Sequence, residues 1–330
     1  MPDVLAIGNA LLDVIAHADD EFLVHQGLVK GSMQLIEADR AVELYAAMPP
    51  AIETSGGSAA NTAVGVASLG GSAAFIGKVR DDQLGELYRH DMRASGVAFD
   101  TPAAPPSHAL PTGRSMILVT PDAQRTMNTN LGIAAEIGVG DVHESIVAAS
   151  TFVYVEGYLW DKGPGEAAVL AAVDHAGRSA STRFALSLSD SFCVDRHRDD
   201  FLMLLERGVD VLFSNDTEIC SLFETDSFDD AVATIRGRCE LAFLTCGPKG
   251  SVVVTPDGVH EVDADPVEHL VDTTGAGDLY AAGALHALCR GADPATAGRL
   301  GSLAAAEVIG HVGPRPAVSL RALADAAGLP

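Results

Sequence analysis

The run Asp272-Thr273-Thr274-Gly275-Ala276-Gly277-Asp278 carries the strongest chemical signal in the chain, and a helical pattern begins at once behind it. Two glycines around an alanine let the backbone turn sharply. They leave N–H groups unpaired at a helix N-terminus, where free donors and the helix dipole converge on an anion. Asp278 stands at the edge of that cradle, where its carboxylate can take a proton from an attacking hydroxyl. A helix N-terminus favours the ionised form, so a lowered pKa and weak basicity are expected. Weak basicity suffices for phosphoryl transfer, which depends mainly on positioning and charge stabilisation. A plain alternative is that Asp278 only caps a helix after a glycine turn, and Gly-x-Gly-Asp alone does not separate the two. A dinucleotide fingerprint fits poorly, because Tyr280 stands where the third glycine belongs and the motif lies late in the chain. No Gly-x-x-x-x-Gly-Lys-Ser/Thr loop occurs.

A second constellation is Gly56-Gly57-Ser58-Ala59-Ala60-Asn61-Thr62-Ala63. Paired glycines allow a ligand to approach the main chain, and Asn61 falls on the first turn of the helix they open. Its amide both donates and accepts, which suits a hydroxyl-bearing ligand better than a phosphate. Read alone, the segment could equally be a closely packed helix start.

These residues need a scaffold, and the rest of the chain supplies one. Short apolar runs at 4–7, 73–76, 152–155, 184–188, 211–214 and 242–245 read as strands covered on both faces. Helical stretches at 59–69, 165–176, 198–207 and 278–290 alternate with them, which predicts a mostly parallel sheet between helical layers. Two segments break the alternation. Residues 12–35 mix polar and apolar types, and residues 100–130 open with a Pro/Ala loop before a strand at 115–120 and the turn Pro121-Asp122. The expected plan is an α/β core of residues 1–11, 36–99 and 131–330, with 12–35 and 100–130 forming a small β lid.

The two motifs together match the diagnostic segments of the ribokinase-like (PfkB) kinase family. Other segments extend the resemblance: Gly8-Asn9-Ala10-Leu11-Leu12-Asp13, the G-x-x-x-x-D-x-x-G turn from Gly77 to Gly85, Asn215-Asp216-Thr217-Glu218, and Thr245-Cys246-Gly247-Pro248-Lys249-Gly250. They fall in family order from residue 8 to about residue 313. The resemblance implies a three-layer α/β/α core, a small lid sheet and an ATP-dependent phosphotransferase. It implies Asp278 as base, with Gly275, Ala276 and Gly277 as anion hole. Asn9, Asp13, Gly56, Gly57 and Asn61 would hold a ribose-like acceptor, and Arg125 would approach the phosphates from the lid. Thr245, Gly247, Gly250, Thr274 and Asn215 would border ATP. Glu218 and Asn215 would organise Mg²⁺ through water, since Mg²⁺ dehydrates reluctantly. K⁺ is an optional further ion.

Several features are similar to adenosine kinases rather than sugar kinases. Ser58-Ala59 follows the paired glycines, where ribokinases usually carry a charged or polar residue, and Pro111-Thr112-Gly113 and Leu186-Ser187-Leu188-Ser189 share the likeness. Tyr158, Leu159 and Leu131 would wall a purine, with Tyr158 able to stack. The implied reaction is phosphorylation of the adenosine 5′-hydroxyl. A kinase for another nucleoside or a sugar such as ribose or fructose is the nearest alternative, and a silent nucleoside-binding protein a more distant one. Arg80 and the pair Gly132-Ile133 depart from the family pattern. Trp160, among apolar neighbours, reads as core packing.

Composition narrows the partners. The 330 residues carry a formal charge of −24 and no Lys/Arg-rich stretch, which argues against nucleic acid and against an anionic membrane surface. A polyphosphate site in such a molecule needs a local positive field from backbone amides, a few arginines and Mg²⁺. Five scattered cysteines without a C-x-x-C pair suit free thiols in a reducing cytoplasm. The N-terminal apolar stretch soon meets Asn9 and Asp13, so it reads as a strand rather than a signal peptide. A cytoplasmic monomer or homodimer is expected.

Overall fold

The computed structural model describes residues 1–330. Seven parallel strands form most of a nine-stranded sheet, in the order Val97–Ala98, Ala73–Ile76, Val4–Ile7, Phe152–Glu156, Arg183–Ser187, Val211–Asn215 and Leu241–Thr245. Ser251–Val254 and Val259–Val262 continue it as an antiparallel edge. Period-two alternation sorts the side chains: Val4, Ala6, Phe152 and Tyr154 enter the core on one face, and Leu5, Ile7, Val153 and Val155 enter the core on the other. Helices cover both faces, which is why these strands read as continuous apolar runs.

Helix Ala276–Cys289 is central to the first face. It packs against Ser58–Ser68 and Pro294–Val308, and residues 279–287 along it are buried. The close approach rests on small side chains. A Cβ on Gly65 would strike Ala282 and Leu279. One on Gly283 would meet the backbone of Leu300 and lie 2.7 Å from the Gly301 nitrogen. The Ala/Gly-rich composition of these helices is therefore a packing requirement.

The second sheet has five strands in the order Met33–Leu35, Arg125–Asn130, Gly113–Val119, Leu11–His17 and Ile52–Gly56. Residues 12–35 and 100–130 do contribute to it, but residues 36–56, assigned above to the core, belong with this sheet as well. Ile52–Gly56 pairs antiparallel with Leu11–His17, and helix Ala38–Ala47 packs its Ala41 and Leu44 on Met116 of the sheet. The sequence hid this because Ile-Glu-Thr-Ser-Gly is a polar edge strand without an apolar alternation.

All five cysteines are free, and no helix is long and apolar enough to cross a membrane. Arg80 binds Asp82 at 2.9 Å and the His108 carbonyl at 3.1 Å, outside the main cleft. Gly132 has φ +50°, and a Cβ there would strike the Pro111 carbonyl, so this departure answers to backbone geometry. Trp160 is buried, edge-on to Phe201.

Gly283→Ala should destabilise the protein by ~1–3 kcal/mol, the usual range for overpacking a closed contact. Thermal denaturation reads this directly, and an unchanged Tm would contradict the packing account.

Candidate active site

Brought together by the two sheets, the motif residues line one cleft of about 890 Å³. It opens at the carboxyl ends of Val4–Ile7 and Phe152–Glu156, adjacent strands from which the chain winds off in opposite directions, the expected place for a ligand in an open α/β sheet. Asn9, Asp13, Gly57, Asn61, Arg125, Leu131, Tyr158, Asn215, Glu218, Thr245, Gly247, Gly250, Thr274, Gly275, Ala276, Gly277 and Asp278 all line it. Gly56 does not. It lies behind Asp13, where a Cβ would overlap the carboxylate, so glycine is required there for packing.

At the centre, two helix N-termini meet. Gly57 (φ +94°) caps Ser58–Ser68, and Gly275 (φ +83°) caps Ala276–Cys289. Both positions sit in the left-handed half of backbone space that other residues avoid. Asp278 reaches from the second helix to the first. Its Oδ1 accepts from the Ser58 hydroxyl at 2.6 Å and its Oδ2 from the Asn61 amide at 2.9 Å. These bonds and the helix end favour the charged form, but burial outweighs them and raises the Asp278 pKa above its ordinary value. The lowered pKa expected from the sequence is therefore corrected: desolvation makes Asp278 a stronger base than the helix end alone would.

Beside Asp278, the N–H groups of Gly275, Gly277 and Asp278 donate to no protein acceptor. Asp272 fixes this turn. Its Oδ1 accepts from the Thr274 N–H and hydroxyl, and its Oδ2 accepts from Gly313 N–H. Arg125 comes across from the smaller sheet and donates to the Thr273 carbonyl at 3.2 Å. It is the sole lysine or arginine lining the cleft, among the carboxylates of Asp13, Glu156, Asp161, Asp216, Glu218, Asp265 and Asp278.

Toward the smaller sheet, Asp13 is buried and accepts no hydrogen bond from the protein, and Asn61 Oδ1 is buried without a donor. Two fixed acceptors without donors suit vicinal hydroxyls. Burial raises the Asp13 pKa to about 7, against the pull of Arg315. At the opposite end, Asn215 and Glu218 form a capping box: Asn215 N–H donates to Glu218 Oε2 at 3.0 Å and Glu218 N–H donates to Asn215 Oδ1 at 2.8 Å, while Asn215 Nδ2 also donates to Glu218 Oε1 at 2.6 Å. Burial brings Glu218 to about 7. A buried cleft carboxylate tied to an amide suits a hydrated Mg²⁺, which would hold it ionised. Asp161, Cys193 and His197 also cluster within 4.8 Å, but the Arg196 guanidinium already lies on Asp161 and burial keeps the Cys193 thiol protonated.

Sequence reasoning missed two buried groups. Glu156 accepts from Asn9 N–H (2.7 Å), Asn9 Nδ2 (2.8 Å) and Ala59 N–H (2.8 Å), tying the first strand to the first helix end. An acid closing an otherwise apolar strand was the available signal. Arg315 donates to the Ser55 carbonyl at 3.0 Å and supports the Gly56-Gly57 segment from behind; nothing in its local sequence marked it. Leu159, expected on a purine wall, packs into the core instead, while Leu131 and Tyr158 do face the cleft.

The model of the pfkB family of carbohydrate kinases matches residues 30–320. The chain belongs to that family. Its fold superposes with a TM-score of 0.96 on an adenosine kinase from Sinorhizobium meliloti, 50% identical, with 99% of each chain covered. A probable sugar kinase protein from Rhizobium etli CFN 42 gives the same TM-score at 45% identity, covering 100% of this chain and 99% of that one. The adenosine kinase of Saccharomyces cerevisiae is 27% identical over 94% of this chain and 96% of its own length. The protein is thus a kinase of ribokinase-like fold, with adenosine kinases among its relatives.

Asp13, Glu156 and Glu218 each stand near pH 7 in the fold, against an ordinary carboxylate value of about 4. Between those values the folded protein holds more protons than the unfolded chain, so stability falls as pH rises. His286, pushed down to about 4 by burial, acts oppositely, but only below about pH 6.5. Denaturant midpoints of the ligand-free protein should therefore drop from about pH 6.5 to 8, and drop less in Asp13→Asn. An identical slope in that variant would contradict the burial argument.

Proposed function

We propose that this kinase transfers the γ-phosphoryl group of ATP to the 5′-hydroxyl of adenosine, giving AMP and ADP. The observation that carries this reading is the pair of buried acceptors without donors, Asp13 and Asn61 Oδ1, lying beside the doubly held Asp278. The resemblance to adenosine kinases, at up to 50% identity over nearly the whole chain, supports it.

In this reading Asp13 and Asn61 grip the ribose diol, which turns the 5′-hydroxyl toward Asp278. As the acceptor oxygen bonds to the γ-phosphorus, its proton passes to the Asp278 carboxylate, and the bond from phosphorus to the β,γ-bridging oxygen breaks to release ADP. The free N–H groups of Gly275 and Gly277 face the charge that develops on the transferred group, and need no reorganisation to do so. Arg125 supplies the one protein cation from the opposite wall. Mg²⁺ would be held by Glu218 and Asn215 through water, neutralising phosphate charge. Thr245, Gly247, Gly250 and Thr274 border the nucleotide end, where Gly247 (φ +54°) has no neighbour that a side chain would meet. The smaller sheet acts as the lid: its inner face presents Leu11, Met33, Leu35, Ile117 and Met127, an apolar cover for a base.

Release of ADP from Mg-ATP, measured against adenosine, inosine, guanosine, cytidine, ribose and fructose, tests the assignment. Adenosine is expected to give the highest kcat/KM. A preference for ribose or fructose would retain the kinase and overturn the nucleoside reading.

A further inference from the structure

One cleft group has no part in the chemistry above. Asp161 lines the same cleft, and its side chain is only 2% exposed. Its Oδ1 is fully engaged: Arg196 donates from Nε at 2.9 Å and from Nη2 at 2.7 Å, and His197 Nε2 lies at 3.0 Å. The other oxygen, Oδ2, is buried and has no donor at all. A buried carboxylate oxygen without a partner costs free energy, and native proteins keep few of them. Here the carboxylate is clamped from behind, so the free oxygen has a fixed direction.

Its position relative to Tyr158 gives that oxygen a purpose. Residues Gly157–Trp160 form a 3-10 turn directly after Glu156, and Asp161 N–H closes it on the Tyr158 carbonyl at 3.1 Å. Side chains three apart in such a turn eclipse one another, so Tyr158 and Asp161 project from the same side. The Tyr158 hydroxyl donates to Asp190 at 2.8 Å, which fixes its ring at the cleft. Asp161 follows directly on this turn and lines the same cleft as Glu156 and Tyr158.

Resting on the adenosine reading, we infer that Asp161 is a specificity-determining residue that reads the exocyclic amino group of the nucleobase. A base lying against Tyr158 presents its edge to Asp161 Oδ2. A 6-aminopurine offers an N–H donor there. A 6-oxopurine offers a carbonyl oxygen, and two acceptors facing each other in a buried site repel. Arg196 and His197 are positioning residues, since they hold the carboxylate and do not themselves line the cleft.

The experiment compares kcat/KM for adenosine, inosine and purine riboside, which lacks the 6-amino group, in the wild-type enzyme and in Asp161→Asn. Wild type should favour adenosine over purine riboside by ~10- to 100-fold, the scale of one hydrogen bond to a charged group. In the variant, the donors of Arg196 keep the amide oxygen and turn the NH₂ toward the base. Adenosine should then fall toward purine riboside while inosine rises, lowering the adenosine-to-inosine ratio by at least ~100-fold. Equal use of adenosine and purine riboside by wild type would overturn the inference whether or not the variant folds. So would a variant that loses all three nucleosides alike, the signature of a purely structural role. Wild type that prefers ribose refutes the adenosine reading and this inference with it; wild type that prefers adenosine with a ratio insensitive to residue 161 refutes this inference alone.

Discussion

Two helices start at the same point in space, one opened by Gly57 and the other by Gly275, and a single carboxylate spans them. Asp278 leaves the first turn of Ala276–Cys289 and is held by Ser58 and Asn61 on the first turn of Ser58–Ser68. The span is short only because the helices behind it touch nearly backbone to backbone, with Gly65 set against Ala282 and Leu279. The Thr62 hydroxyl adds a further tie to the Asp278 carbonyl at 3.1 Å. Asp278, the base in the proposed reaction, is thus placed by the packed core and not by a loop. Catalytic geometry tolerates errors of only a fraction of an ångström, so this rigidity has functional value.

The acidity of the whole chain runs into the cleft. Seven carboxylates line it against one arginine, and Asp13, Glu156, Glu218 and Asp278 are pushed upward in pKa by the loss of water around them. The ligand-free cleft is electrostatically strained. In the proposed reading, ribose hydroxyls at Asp13 would donate to a carboxylate that the protein leaves unpaired, and a hydrated cation at Glu218 would favour its charged form. In the proposed reading the positive field for a polyphosphate would come from oriented N–H groups and from Arg125 on the second sheet, so part of it depends on that sheet.

Much of this was legible in the chain. The apolar runs at 4–7 and 73–76 are strands with those same ends, and the others are right to within a residue or so, because buried parallel strands need continuous β-branched and apolar side chains. The glycine turns were legible too, since few other residues adopt φ +83° or +94°. Helix 198–207 matches the stretch that follows the kink at His197 within Ser191–Gly208, and the short stretch before that kink, with Cys193 and Val194 buried, lies outside the expected bounds. Strand Ile52–Gly56, Arg315 and the three-donor role of Glu156 depend on partners far away in sequence, which no local pattern encodes. The basicity of Asp278 failed for a related reason. The helix end is a local feature, whereas the burial that outweighs it is created by the fold as a whole.

The central claim is that Asp278 acts as a base placed by the core and not as a binding group. Nucleoside affinity and turnover measured together on Asp278→Asn test it most directly. The account predicts nearly intact affinity with kcat lowered by at least ~100-fold, the scale of general-base removal. Turnover close to wild type in a variant that binds nucleoside normally would contradict it.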